Sequence, residues 1–513
     1  MLYSTSRYEM SFKYAGIKKL TLPFTEEQIT PELVSKHFST IISTHTHNAR
    51  KIKYLLDYVD GEFQPIDNKT RKFESAEEHN NKTKMNHAYA LVTFKEGAIL
   101  GEPREFAQKA DVLTDDLKYL DKYLTDINFL SKDLQIKHNM YATGIATSYV
   151  VPRTSIITQV GEGKARFKTK EEGYDIDNDS PFIYECIDSQ DNAVVYSSYI
   201  GQEGDGTLFC FNRYDEIDDR GNTKHFYKVF AHGWTCVFDN KYNIVQGTYK
   251  LSNPYYNHLP MVEHSYNQRR IGVVEMVYDL LNNINTIISN SIDNIVDVVN
   301  QILVFVNCEI ENSDKYIEML EKGAVVLPPT YSSSDPKIDK ISMEVKHEQI
   351  NILLEQILTR CYDIVGVPLA SANVTSGGDT GEARLLGGGW TNAYTIIKRD
   401  ILAMEQSDRE VLKRFIDIAK LNPKNKLNEI SPNQIEIKYN INMTDNILSK
   451  TQSVKYLVEV GMPFEDILRA VPLFGDVKTV SARWTENLMK MREVQNIEKQ
   501  ENETANPSET LDD

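Results

Sequence analysis

Apolar residues recur every three or four positions from Ile271 to Ile302, through Val273, Val277, Leu280, Ile284, Ile287, Ile288, Ile295 and Val299. That spacing predicts one long helix, which at 1.5 Å per residue runs roughly 45 to 50 Å. Its other face carries Glu275, Asn282, Thr286, Ser289, Asn290, Asp293, Asp297 and Asn300, and no lysine or arginine occurs from Ile271 to Asp314. Helical spacing also covers Thr25 to about Leu56, where Thr25 and Gln28 suit a capping box and Pro31 after Thr30 offers a second start. The polar stretch 75–84 then predicts a loop ahead of a packed segment over 85–101. A further helical pattern runs from Asp111 to Tyr149 through Leu117, Leu120, Leu124, Ile127 and Leu130.

Between about Val150 and Leu251 the pattern changes to short aromatic or β-branched runs, Phe182–Tyr184, Ala193–Ile200, Phe226–Phe230 and Trp234–Phe238, broken by Gly, Asp and Asn. These predict a β-rich module with a hairpin turn at Asp239-Asn240, closed by Asn253-Pro254 and Pro260. After the long helix come a strand over Gln301–Ile310, a short helix over Lys315–Glu321, and a strand over Ala324–Leu327 ended by Pro328-Pro329. A second helix is predicted from Val345 to Ile364 with Ile350, Leu353, Leu354, Ile357 and Tyr362 on its buried side. A glycine-rich loop over Pro368–Gly381 leads to a third helix over Glu382–Leu421, with a kink predicted at Gly387, Gly388 and Gly389. A strand at Ile435–Ile441, helices at Asp445–Val460, after Pro463 and over Asp476–Glu498, and an acidic, unstructured tail complete the α+β pattern.

The chain has 513 residues, enough for two to four structural units, and its 41% hydrophobic content is that of a folded protein. Its formal net charge of −17 argues against holding nucleic acid by neutralising many phosphates, but suits a surface that DNA slides past. The five cysteines lie far apart, without zinc spacing, and read as reduced thiols. No signal peptide and no membrane-length apolar run is present, and six asparagines within Ile271–Asn300 exclude that helix from hydrocarbon. The sequence therefore predicts a protein made in a cytoplasm, with no membrane partner.

Candidate chemistry is sparse. The P-loop spacing is absent at Ser376–Gly381 and at Gly161-Glu162-Gly163-Lys164, so nucleotide hydrolysis lacks its usual parts. His45 and His47 lie two apart in a helical pattern and point in different directions, which excludes them as a metal pair. No Ser/His/Asp or Cys/His constellation is defined by spacing. No catalysis, metal or cofactor is expected.

The order of these elements resembles the portal proteins of tailed bacteriophages. The resemblance is carried by Lys95–Pro103, by Pro260-Met261-Val262-Glu263 and Arg269-Arg270-Ile271-Gly272 before the long helix, and by Gly377–Ala383 before the third helix. It spans about Met85 to Glu498. It implies a portal fold, with a wing over 1–270, stem helices over 271–300 and 345–366, and an α/β clip over 301–344 between them. A tunnel loop over 367–381, a kinked tunnel helix returning to the wing over 382–443, a crown over 444–499 and a disordered tail over 500–513 would follow.

It further implies a ring, usually of twelve subunits, at one capsid vertex of the virion, assembled in the host cytoplasm. Double-stranded DNA would occupy the lumen, and terminase, head-completion or adaptor proteins, major capsid protein and scaffolding protein would be partners. Val374, Thr375, Ser376, Gly377, Gly378, Asp379, Thr380, Gly381 and Arg384 would be the tunnel-loop residues facing DNA. Asn282, Thr286, Ser289, Asn290, Asp293 and Asp297 would face the channel from the stem. The rival readings are a connector or tail protein with no DNA in its lumen, and an enzyme acting on nucleic acid, which would need a Walker lysine and a metal-binding acid.

Overall fold

The computed structural model describes residues 15–70, 80–101, 103–109, 116–160, 164–199, 206–217, 221–251, 258–299, 302–306, 337–341, 347–369, 390–439, 441, 447–471, and 480–490 without 482 and 488. Strand β1 (Leu20–Leu22) leads to helix α1 (Pro31–Val59). The Thr25/Gln28 capping box forms around the short turn Glu26–Gln28. Helix α1 itself starts at Pro31, where the Thr30 hydroxyl accepts the Leu33 N–H. Both predicted start signals are used, one for each turn of chain.

Helix α2 (His87–Leu100) and strand β2 (Glu105–Gln108) precede α3 (Leu117–Asp126) and α4 (Phe129–Thr143). The helical pattern read as continuing to Tyr149 stops at Gly144, whose φ of 98° ends α4 in the left-handed region. The following Ile145–Pro152 is strand β3, and its Thr, Val and Ile residues suit the pleat better than a helix.

The β-rich stretch contains β4 (Ile157–Val160), β5 (Lys164–Phe167), β6 (Phe182–Ile187), β7 (Asn192–Ser197), β8 (Thr207–Ile217), β9 (Thr223–Ala231), β10 (Trp234–Phe238), β11 (Lys250–Leu251) and β12 (Met261–Ser265). Six strands make one sheet in the order β1-β7-β8-β9-β10-β11, with β1 parallel to β7 and the other pairs antiparallel. The turn at Asp239-Asn240 forms, with the Asp239 carboxylate accepting the Lys241 and Asn243 N–H groups. Strands β12, β3 and β6 form a second sheet.

Helix α5 (Val273–Val299) leads to the antiparallel pair β13 (Ile302–Val306) and β14 (Lys337–Ile341), and α6 (His347–Val365) returns to pack on α5. The predicted helix 315–321 and strand 324–327 lie outside the described residues, and the partner found for β13 is a stretch that periodicity left unassigned. Helix α7 (Trp390–Ala419) is followed by β15 (Ile435–Lys438), which pairs antiparallel with β2 and so ties the chain back to its first third. Helix α8 (Ile447–Glu459), Gly461 at φ 87°, and α9 (Phe464–Ala470) follow as spacing predicts. The glycines at 387–389 and the tail lie outside the described residues.

Among the described residues two large apolar cores form, beside two small clusters. In one, Val34, Phe38, Ile41 and Ile42 of α1 pack on Val195, Phe209, Phe211, Val229 and Phe238 of the six-stranded sheet. Phe38 is the centre, with the rings of Phe211, Tyr227 and Phe238 each 5.4 Å away. The larger core joins Tyr54 and Tyr58 of α1 to α2, α3, α4, the roots of α5 and α6, and α7, where Phe415 stacks on Phe182 at 4.2 Å.

Three chain segments meet without side chains between them. A Cβ on Gly16, Gly144 or Gly272 would overlap the backbone of Arg269, Arg270 or Ala142, respectively. Glycine is required there by close approach, and this junction sets the direction in which α5 leaves the core.

Candidate functional site

The pair α5 and α6 is rooted in the larger core by Val273, Val274, Val277, Leu281, Cys361, Val365 and Val367. Away from the root, no residue from Asn351 to Arg360 is buried. Leu353, assigned by spacing to the buried side, is 47% exposed: Cys361 and Val365 meet the core, while the helix packs along α5.

Helix α5 is not continuous. Val277 has φ −123° and ψ 17°, which divides the predicted single helix after its first turn. The two parts are anchored separately. Before the break, Glu275 accepts the Lys51 ammonium at 2.6 Å and the Gly16 N–H at 3.0 Å; after it, Tyr278 and Asn282 bond the hydroxyls of Tyr54 and Tyr58.

From there a ladder of polar bonds climbs the helix at three- and four-residue spacing. Asn285 donates to Gln64 Oε1 at 2.7 Å and accepts the Met85 N–H at 2.9 Å. Ser289 Oγ accepts the Thr83 N–H at 2.9 Å. Asp293 accepts the Lys69 ammonium at 2.6 Å, and the Asn81 N–H and side-chain amide at 2.8 Å each. Burial would raise the Asp293 carboxyl, but these donors outweigh it and hold it below the usual carboxylate range.

Ser289 and Asp293, expected on an open face, are 0% and 1% exposed, with their side chains bonded to Thr83, and to Lys69 and Asn81, of the same chain. Asn282 is half-buried under Tyr58, while Thr286 and Asn290 are exposed. The Asp297 side chain, residues 374–381 and Arg384 lie outside the described residues. Asn283 and Asn294, outside the set read from the sequence, are exposed and share a stripe with Thr286 and Asn290. Their spacing is the same, shifted by one residue from the stripe that Gln64, Lys69, Asn81 and Thr83 bond.

Helix α7 is held by two buried carboxylates. Asp400 accepts Lys95 of α2 at 2.9 Å and the Tyr266 hydroxyl at 3.2 Å. Two turns on, Asp408 accepts Lys137 of α4 at 2.7 Å and the Tyr439 hydroxyl at 2.5 Å, and forms an ion pair with the Arg104 guanidinium at 2.5 Å. Arg104 also bridges to Asp133 at 2.7 Å. Burial opposes ionisation of Asp408, but Arg104 and Lys137 keep its carboxyl well below the usual range. His264 donates to or accepts from Ser148 Oγ at 2.9 Å, with Nδ1 3.5 Å from Asp408; burial lowers its pKa to about 4. Breaking such a pair strands a charge in the core, so the network fixes the setting of α7 more than it adds net stability.

His45 is buried with Nε2 2.9 Å from the Gln190 carbonyl oxygen, while His47 is exposed, as their spacing predicted. Cys186, Cys210, Cys236 and Cys361 are free thiols. Among the described residues no group of three or more His, Cys, Asp or Glu is placed to hold a metal ion, and no helix is long and apolar enough to cross a membrane. The family model described as phage portal protein, SPP1 Gp6-like, matches residues 39–506. No curated protein matches the chain.

Proposed function

Because the chain belongs to the SPP1 Gp6-like phage portal protein family, we propose that it assembles as a ring, of about twelve copies, whose lumen passes double-stranded DNA into and out of the capsid. The carrying observation is the pair α5 and α6, joined through the β13–β14 hairpin and rooted in the larger core, with an exposed polar stripe free of lysine and arginine on α5. A duplex carries dense negative charge, and cations along its path would bind it and release counterions at each step. Amides and hydroxyls stay hydrated without holding phosphates.

On this reading residues 1–270 form the wing, 271–300 and 345–366 the stem, 301–344 the clip, and 444–499 the crown. The clip docks terminase and then a head-completion adaptor, while the wing and crown meet capsid and scaffolding proteins. Residues 367–381, with Arg384, form the tunnel loop nearest the DNA, and the helix after it returns to the wing through β15 on β2. On this reading the channel needs no cofactor, and its role is conduction rather than catalysis.

Electron microscopy with mass measurement on the purified protein tests the ring. Rings around a hole of roughly 20 Å or more, wide enough for a B-form duplex with its 12 Å major groove, are expected. A monomer or dimer at every salt concentration would overturn the reading. Deleting 376–380 should leave rings intact but impair packaging or retention of DNA; unchanged packaging and retention would leave a connector with no conducting role.

A further inference from the structure

Helix α1 turns Phe38, Ile41, Ile42 and His45 inward. At 100° per residue the opposite side is Lys36, Thr40, Ser43, His47 and Arg50, of which the first four are exposed and Arg50 is half-buried. No aspartate or glutamate occurs from Leu33 to Leu56, in a chain with 74 acidic residues against 57 basic ones. Glu32, one turn before Lys36, marks the end of the stripe. What lies between is cations, hydroxyls and an imidazole.

Backbone bonds bring further cations to its C-terminal half. The Lys18 N–H donates to Asn48 Oδ1 at 3.1 Å, and the Lys18 carbonyl accepts the Asn48 amide at 2.8 Å. Lys18 is exposed there, and Lys19 follows with its ammonium 4.1 Å from the centre of the Tyr196 ring. The field is positive: burial, and then the charges of Lys18, Arg50 and Lys51, lower the pKa of His47. The carboxylates that approach are engaged, Glu275 with buried Lys51 and Asp57 with Lys53.

Lys36 and Arg50 stand about 21 Å apart along the helix axis, with hydroxyls between them that can donate to phosphate oxygens while the cations neutralise their charge. We propose that this face of α1, with Lys18 and Lys19, holds the sugar–phosphate backbone of duplex DNA outside any lumen. The net charge of −17 does not forbid it, because carboxylates more than about 10 Å away are screened at 0.1 M salt. It does keep the contact weak, at about four phosphates, and easily released by salt. The polar stripe of α5 lets a duplex slide, and this face retains one. The chain's own acidic segment 500–513 is the rival occupant, but its five carboxylates fall unevenly, whereas the stripe offers a donor or a cation at every turn.

A covalently closed circular duplex tests the face, because it cannot thread a ring already closed and so reports only on outer surfaces. The parent protein should hold the circle near 50 mM salt and release it by about 300 mM. Lys18→Gln with Arg50→Gln should bind at least tenfold more weakly near 50 mM, with the salt slope reduced by about 2. Lys170→Gln with Lys455→Gln removes the same charge from positions 82% and 74% exposed and should bind as the parent does. No binding by the parent, or an equal loss in both pairs, overturns the proposal. Binding that emerges only after residues 500–513 are deleted assigns the face to that segment and overturns it too. Should the first pair fail to fold, Ser43→Cys supplies the answer. The circle should slow its labelling by a maleimide at least fivefold near 50 mM salt, and leave Gln452→Cys on exposed α8 unchanged. Equal labelling of Ser43→Cys with and without the circle overturns the proposal, and neither result bears on whether rings form.

Discussion

Lys69 and Asp293, 224 residues apart in sequence, meet with Nζ 2.6 Å from Oδ2, and the carboxylate is 1% exposed. Its other oxygen accepts the Asn81 N–H and side-chain amide, so one side chain ties both Lys69 and Asn81 to the outer part of α5.

Asp293→Ala strands the Lys69 ammonium and the Asn81 N–H beside the helix. It should destabilise the protein by about 3 kcal/mol, measured by urea unfolding. Lys69→Met, which leaves the carboxylate its Asn81 donors, should cost less. Because the folded carboxyl is depressed, the stabilisation from this clasp is full above the unfolded value near 4 and is lost only as pH falls through the lower folded value.

Asp408→Asn should cost about 3 to 5 kcal/mol, since it leaves Arg104 and Lys137 buried with one carboxylate, Asp133, near them. Asp408→Asn combined with Lys137→Met should recover part of that loss in the same unfolding assay, by removing the stranded ammonium. An additive result would mean that Lys137 and Asp408 are not coupled.

His45 and His264 are buried and neutral in the fold, each with a pKa lowered to about 4 chiefly by burial. The unfolded chain protonates them near 6.5, so between pH 6.5 and 4 it binds more protons and stability falls as pH falls. Each contributes on the order of 3 kcal/mol across that window. His264→Gln should flatten the melting temperature over pH 4 to 6.5 and leave its value above pH 7 less affected.

Two glycine substitutions separate structural need from tolerance. Gly97→Ala, inside α2 with nothing within 4 Å of the added carbon, should stabilise the chain by about 0.5 to 1 kcal/mol. Gly272→Ala meets the Ala142 backbone and should prevent accumulation of folded protein. Soluble, ring-forming Gly272→Ala would mean that the junction yields.

Periodicity found the helices because their apolar stripes face a core, as Val277, Leu281 and Ile284 do. It missed β8, whose buried Leu208–Phe211 passes into exposed Asp215–Ile217 without sustained alternation. It placed Ser289 and Asp293 on an open face because polar side chains covered by distant chain look the same in sequence as polar side chains in water. Only Lys69, Asn81 and Thr83, some 200 residues earlier, separate the two, and no local pattern encodes that pairing. The lack of cations along α5 was legible because it needs no partner to be read.

Helix α1 gives Phe38 to one core and Tyr58 to the other, over 29 residues without a break. Neither core can close unless the helix is formed along its whole length, and a helix formed for one is already laid down for the other. The sheet and the helical body therefore melt as one cooperative unit, and a push on the sheet's edge reaches the root of α5 through a rod of roughly 43 Å rather than through a hinge.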